Sequence, residues 1–97
     1  MASRFVKGDN VVERKVRNGR ILVPLVSDNA RIDSIYTLNP MAAAIWDDAL
    51  LGLCDDDIVA RVVGEYNVDQ ATARKDTNEL LAQFVAVNAL KRVQDRG

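Results

Sequence analysis

The chain has 97 residues, 13 basic and 14 acidic, for a formal net charge of −1. Hydrophobic residues make up 48% and charged residues 28%, the balance of one ordinary globular domain with room for a single core. The absence of histidine and the single cysteine, Cys54, exclude imidazole general-base chemistry, histidine-liganded zinc, an internal disulfide and a CxxC redox motif.

Residues 1–12 are polar and mixed in charge, with no apolar stretch of the signal-peptide kind. No window approaches the ~18 consecutive apolar residues of a membrane span. A cytoplasmic chain without membrane association is the expectation, as one domain over 1–97 with loose ends at 1–8 and 94–97.

The first folded part reads as β-structure. Residues 11–16 (VVERKV) and 21–26 (ILVPLV) are rich in β-branched side chains. Asn18-Gly19 between them predicts a hairpin with a type I′ turn, which needs positive φ at both central positions. Pro24 cannot donate a ladder hydrogen bond, so it belongs near a strand end, at a bulge or on an unpaired side. A second turn is expected at 27–30 (SDNA). Residues 32–38 (IDSIYTL) then read as a third strand, with Ile32, Tyr36 and Leu38 on one face and Ile35 on the other.

The pattern next turns helical. Asn39 is an N-cap candidate with Pro40 at the first helical position. The segment 41–50 is apolar nearly all round, as in a helix buried on most sides, with Trp46 in the core. Leu51-Gly52-Leu53 breaks it. A second helix is predicted over 55–66, where Asp55, Asp56 and Asp57 suit the positive end of the dipole. A third is predicted over 70–87, capped by Asp69 and closed by Asn88 in the left-handed conformation. It carries one apolar stripe through Ala73, Thr77, Leu80, Phe84 and Val87. A second stripe holds Leu81 and Val85, bordered by Arg74 and Asn78. The fold class is therefore α+β and winged-helix-like: a three-stranded antiparallel meander followed by three helices.

Charge is uneven along this order. Residues 1–37 carry seven basic and four acidic side chains; residues 38–66 carry one and six. The acid run 55–57 reads as capping, since a calcium loop spaces its acids and ends in Glu.

The block Ile35-Tyr36-Thr37-Leu38-Asn39 followed by Ile45-Trp46 resembles PqqD and the PqqD-like recognition elements of ribosomally made, post-translationally modified peptides. Leu50-Leu51-Gly52, Asp56-Asp57-Ile58, Tyr66-Asn67-Val68-Asp69 and the Leu80-Leu81 pair after Asp76 extend the likeness over about residues 11–93. Asn88 stands where the family has Gly, and Cys54 where it has Thr. The resemblance implies a non-catalytic peptide chaperone without cofactor or metal. Its partners would be the leader of a precursor peptide and a modifying enzyme, often a radical SAM enzyme. The leader would add as a strand in the cleft between third strand and third helix. Ile32, Asp33, Ser34, Ile35 and Tyr36 would form the edge it joins. Arg74, Lys75, Asn78, Leu81 and Val85 would form the facing wall, with Leu81 and Val85 as core residues in the alternative reading. Monomer and homodimer both stay open.

The rival reading is a DNA-binding winged helix with Arg14, Lys15, Arg17 and Arg20 on its wing. Phosphate neutralisation needs a basic footprint. The chain as a whole is slightly acidic, and its third helix sets Asp76 and Glu79 against Arg74 and Lys75. Nucleic acid is therefore not an expected partner.

Overall fold

The computed structural model describes residues 3–9, 11–26, 31–32 and 35–93. Its strands are β1 (Arg4–Lys7), β2 (Val11–Val16), β3 (Gly19–Val26), β4 (Arg31–Ile32), β5 (Tyr36–Leu38) and β6 (Leu90–Val93). Its helices are α1 (Pro40–Leu50), α2 (Asp55–Tyr66) and α3 (Gln70–Ala86). Among the described residues, no helix is long and apolar enough to cross a membrane.

The meander forms as the alternation predicts. β2 and β3 pair antiparallel from Val16↔Gly19 to Val11↔Pro24. The expected third strand is two short pieces on the other side of β3. β4 pairs Leu25↔Ile32, and β5 pairs Leu22↔Tyr36 through Arg20↔Leu38. These two registers differ by one residue. Pro24 sits beside that step, where a missing N–H disturbs the ladder least. The turn expected at 27–30 lies outside the described residues, as do Asp33 and Ser34.

The hairpin turn differs from expectation. Its two loop residues are Arg17 and Asn18, since Gly19 already pairs with Val16. Among the described residues positive φ occurs at Gly52, Asn67 and Asn88, not at Asn18 or Gly19. The type I′ assignment is thus corrected. Gly19 is needed for space: a Cβ there would collide with the Leu38 carbonyl oxygen of β5.

The helices follow their caps. The Asn39 side chain accepts from the Ala42 N–H at 2.8 Å, with Pro40 at the first helical position. α1 then buries Ala42, Ala43, Ile45, Trp46, Asp48 and Ala49. Asp48 is tolerated there because the Arg61 Nε of α2 donates to it at 2.9 Å; an unpaired carboxylate would cost several kcal/mol, on the order of 3–5. Gly52, at φ 91°, ends the segment. α2 closes on Asn67 in the left-handed conformation, and Asn88 adopts it after α3, as its position predicts. Trp46, Leu22, Ile45, Ile58, Leu81 and Leu90 are the large, fully buried side chains of the core, each contributing about 1.5–3 kcal/mol.

A second, two-stranded sheet adds to the expected meander. Within the stretch expected to be a loose end, β1 pairs with β6 from Arg4↔Val93 to Lys7↔Leu90. Phe5 and Leu90 point inward, and the Arg92 guanidinium lies 5.2 Å over the Phe5 ring. The Ser3 N–H donates to the Asp55 carboxylate at 3.0 Å, and the Asp55 N–H donates to the Ser3 carbonyl at 2.9 Å. These bonds lock β1 to the start of α2. Residues 94–97, the other expected loose end, lie outside the described residues.

Two measurements follow. Gly19→Ala should destabilise the fold by about 1–3 kcal/mol in urea titration, since backbone must move to admit the methyl group. The Thr72 hydroxyl and then its N–H hold the Asp69 carboxyl below the ordinary carboxylate value. A depressed folded-state pKa stabilises fully above the unfolded value of about 3.9, and this is lost as pH falls through the folded value. Asp69→Asn keeps a capping side chain that does not titrate. In thermal melts the wild type should therefore lose its advantage over the variant between neutral pH and about pH 2.5.

Candidate functional site

β5 pairs with β3 on one side. Among the described residues no strand lies along its other side. The crowding of Gly19 shows the Leu38 carbonyl turned toward β3. Backbone groups of an antiparallel strand alternate in direction, so the N–H and C=O of Thr37 point outward from the sheet edge. Side chains alternate too: Leu38 is buried and Tyr36 half-buried on the helix side, and Thr37 is exposed on the other.

Facing this edge is α3. Between them lies a cavity of about 240 Å³. Leu22 and Leu38 form its sheet wall, Met41 of α1 closes one side, and α3 with its C-cap residue supplies Leu80, Gln83, Phe84 and Val87. The lining is mainly apolar, with the Gln83 amide the polar side chain α3 contributes. Small-molecule and cofactor pockets run to about 300–1,000 Å³. This cleft is below that range and suits one or two side chains presented from an adjoining strand.

Phe84 connects the cleft to the core. Its ring meets Trp46 of α1 edge to face, with centroids 5.2 Å apart at 73°. α3 thereby rests on α1 on one side and borders the cleft on the other.

Of the sequence-derived candidates, Tyr36 lies in the cleft. Ile35 is 62% exposed just before β5. Ile32 belongs to β4, and Asp33 and Ser34 lie outside the described residues. The helical candidates are elsewhere. Leu81 is 2% exposed and belongs to the core, and Val85 packs half-buried against it. Arg74 donates to Asp56 of α2 at 3.0 Å. Lys75 and Asn78 are exposed outside the cleft. The physical reason is a rotation of the helix. Arg74 turns toward α2, Leu81 turns into the core, and Leu80, Gln83, Phe84 and Val87 line the side next to the sheet edge. The sequence did carry one signal: Gln83 interrupts the stripe through Leu80, Phe84 and Val87, as expected where an apolar face is partly open to water.

The acid run at the start of α2 is occupied locally. Asp55 bonds Ser3 and its own helix, and Asp56 pairs with Arg74. Arg20 of the hairpin is also engaged. It pairs with Asp47 of α1, lies 3.3 Å from Glu13, and donates to the Gly19 carbonyl at 2.9 Å. It ties the hairpin to α1 and is not a free phosphate contact.

Comparison with known proteins bears on this geometry. The family described as Coenzyme PQQ synthesis protein D (PqqD) matches residues 21–90, the stretch from β3 to the start of β6 that builds the whole cleft. Two solved structures share the fold at a TM-score of 0.74. One is TbiB1 in complex with the TbiA(beta) leader peptide, 22% identical, covering 93% of this chain and 99% of that one. The other is a lasso peptide synthetase B1 complexed with the leader peptide, 20% identical, covering 91% and 98%. No curated protein matches the chain.

The packing separates two kinds of cleft residue. Phe84→Ala should cost about 3–5 kcal/mol in chemical denaturation, because it also opens a void beside Trp46. Leu80→Ala, at a half-buried position, should cost less than about 2 kcal/mol by the same measurement.

Proposed function

The chain belongs to the PqqD family, and we propose that it carries the leader segment of a ribosomally made precursor peptide, added as an antiparallel strand along β5. The observation that carries this reading is the juxtaposition of an unpaired edge at Thr37 with an apolar cleft of about 240 Å³ against α3. Strand addition draws affinity from main-chain hydrogen bonds and specificity from pockets for alternate side chains. Thr37 offers the first, and Leu80, Gln83, Phe84 and Val87 line the second. The leader complexes of the two similar structures support the reading.

The sheet has a second edge, β2, but it is poorly suited to the task. Arg14 and Lys15 guard it, as charged side chains blunt strand edges generally. The cleft adjoins β5 instead. In this reading the chain works in the cytoplasm, turns over no substrate, and hands the peptide to a modifying enzyme, a radical SAM enzyme being the expected one. The winged-helix DNA reading finds no support: the helix it would insert in a groove spends Arg74 on Asp56 and Leu81 on the core.

The test uses fluorescently labelled leader segments of candidate precursor peptides from the genome that encodes this chain. Thr37→Pro removes the outward N–H, and Leu80→Asp places a charge in the cleft. Each should weaken binding by at least about tenfold in anisotropy titrations, ~1.4 kcal/mol. Amide shifts on adding the leader should cluster at 35–38 and 80–87. Shifts confined to α2 would overturn the reading.

A further inference from the structure

The face of the sheet turned away from the helices is also apolar. Val12 and Val16 of β2 are 44% and 41% exposed. The register sets Val12 opposite Val23 and Arg14 opposite Ile21. Alternation places these side chains on one face, and Val11 and Leu22 are buried on the other. An antiparallel sheet with one face on a core ordinarily turns polar side chains to water. Here four β-branched residues surround a single cation, Arg14.

Among the described residues, no carboxylate neutralises the charge on this face. Arg20, Arg61, Arg74 and Lys91 each pair with a carboxylate. Among the described residues, Arg14 on the face and Lys15 and Arg17 at the end of its hairpin have no such partner. What fits is a surface with an apolar centre and carboxylates beside it. A second copy packed face to face by two-fold symmetry would bring Arg14 no anion, because this face of β2 and β3 carries no carboxylate. Duplex DNA would satisfy the cations and leave the valines in water. A bilayer is normally entered with aromatic anchors, and these β2 and β3 positions have none.

We propose that this outer face of β2 and β3 docks the peptide-modifying enzyme, through an apolar, carboxylate-bearing surface of that enzyme. The proposal rests on the reading of the chain as a leader carrier. β2 lies two strand spacings from β5, about 10 Å, so docking here and strand addition there do not compete for the same backbone.

The probes are the purified enzyme that modifies the leader-bearing precursor peptide and the labelled leader, titrated separately. The variants are Val12→Ser with Val16→Ser, and Arg14→Glu, each checked by thermal melt. Both should weaken enzyme binding by at least about tenfold while leader affinity stays within about twofold. Unchanged enzyme affinity in both variants would overturn the docking proposal, as would wild-type protein that fails to bind the enzyme. So would the appearance in wild type, and loss in the variants, of a concentration-dependent dimer, of binding to phosphatidylserine vesicles, or of binding to duplex DNA. Wild-type protein that binds the enzyme but not the leader would sink the peptide reading and spare the docking face.

Discussion

Trp46 has no exposed surface, and its ring meets Phe84 edge to face. That contact sets how closely α3 can approach α1, and a single residue, Asn39, separates α1 from β5. The spacing of the cleft between β5 and α3 is therefore supported from behind, where the Phe84 ring that lines it rests on Trp46. Aromatic pairs of this kind add about 0.5–1.5 kcal/mol beyond their area burial. Their larger effect here is geometric. A smaller residue at position 46 takes away the support on which the Phe84 ring rests.

The same economy governs the polar groups. Asp48 would be expensive inside α1 without Arg61, and Arg20 would be an exposed wing cation without Asp47 and Glu13. Asp48 with Arg61 joins α1 to α2, and Arg20 with Asp47 joins the hairpin to α1. Arg74 with Asp56 does the same for α3 and α2, although an exposed pair of this type is worth little by itself. Basic residues that looked available for phosphate or acidic peptide are thus partly spent on holding the domain together.

Much of the architecture was legible because the chain announces its boundaries chemically. Asn39-Pro40, Asp69 and Asn88 each do in the structure what their side chains favour, so the helix limits fall where expected. The meander follows from alternation. Three features were not legible. Two apolar stripes on α3 lie side by side, and periodicity does not say which one faces a helix and which a sheet edge; Leu80 and Leu81 exchange roles on that point alone. Asn18-Gly19 favours a hairpin, but the glycine answers a close approach by Leu38, a contact made nineteen residues away. The pairing of β1 with β6 spans nearly the whole chain, and four-residue strands carrying two cations each have no periodic signature of their own. The likeness around Leu38-Asn39 and Ile45-Trp46 gave the peptide-binding expectation, and the family match and the open edge at Thr37 are the findings that now stand beside it.

The β1–β6 ladder places Arg4 directly across from Val93, at the same end of the pair. Tension applied through both ends of the chain would load this ladder in the unzipping direction, parting its hydrogen bonds one after another rather than all together. The mechanical weak point is thus separated from the cleft. A domain tugged by what it is tethered to would peel at β1 and β6 first, while β3, β5 and α3 keep their spacing.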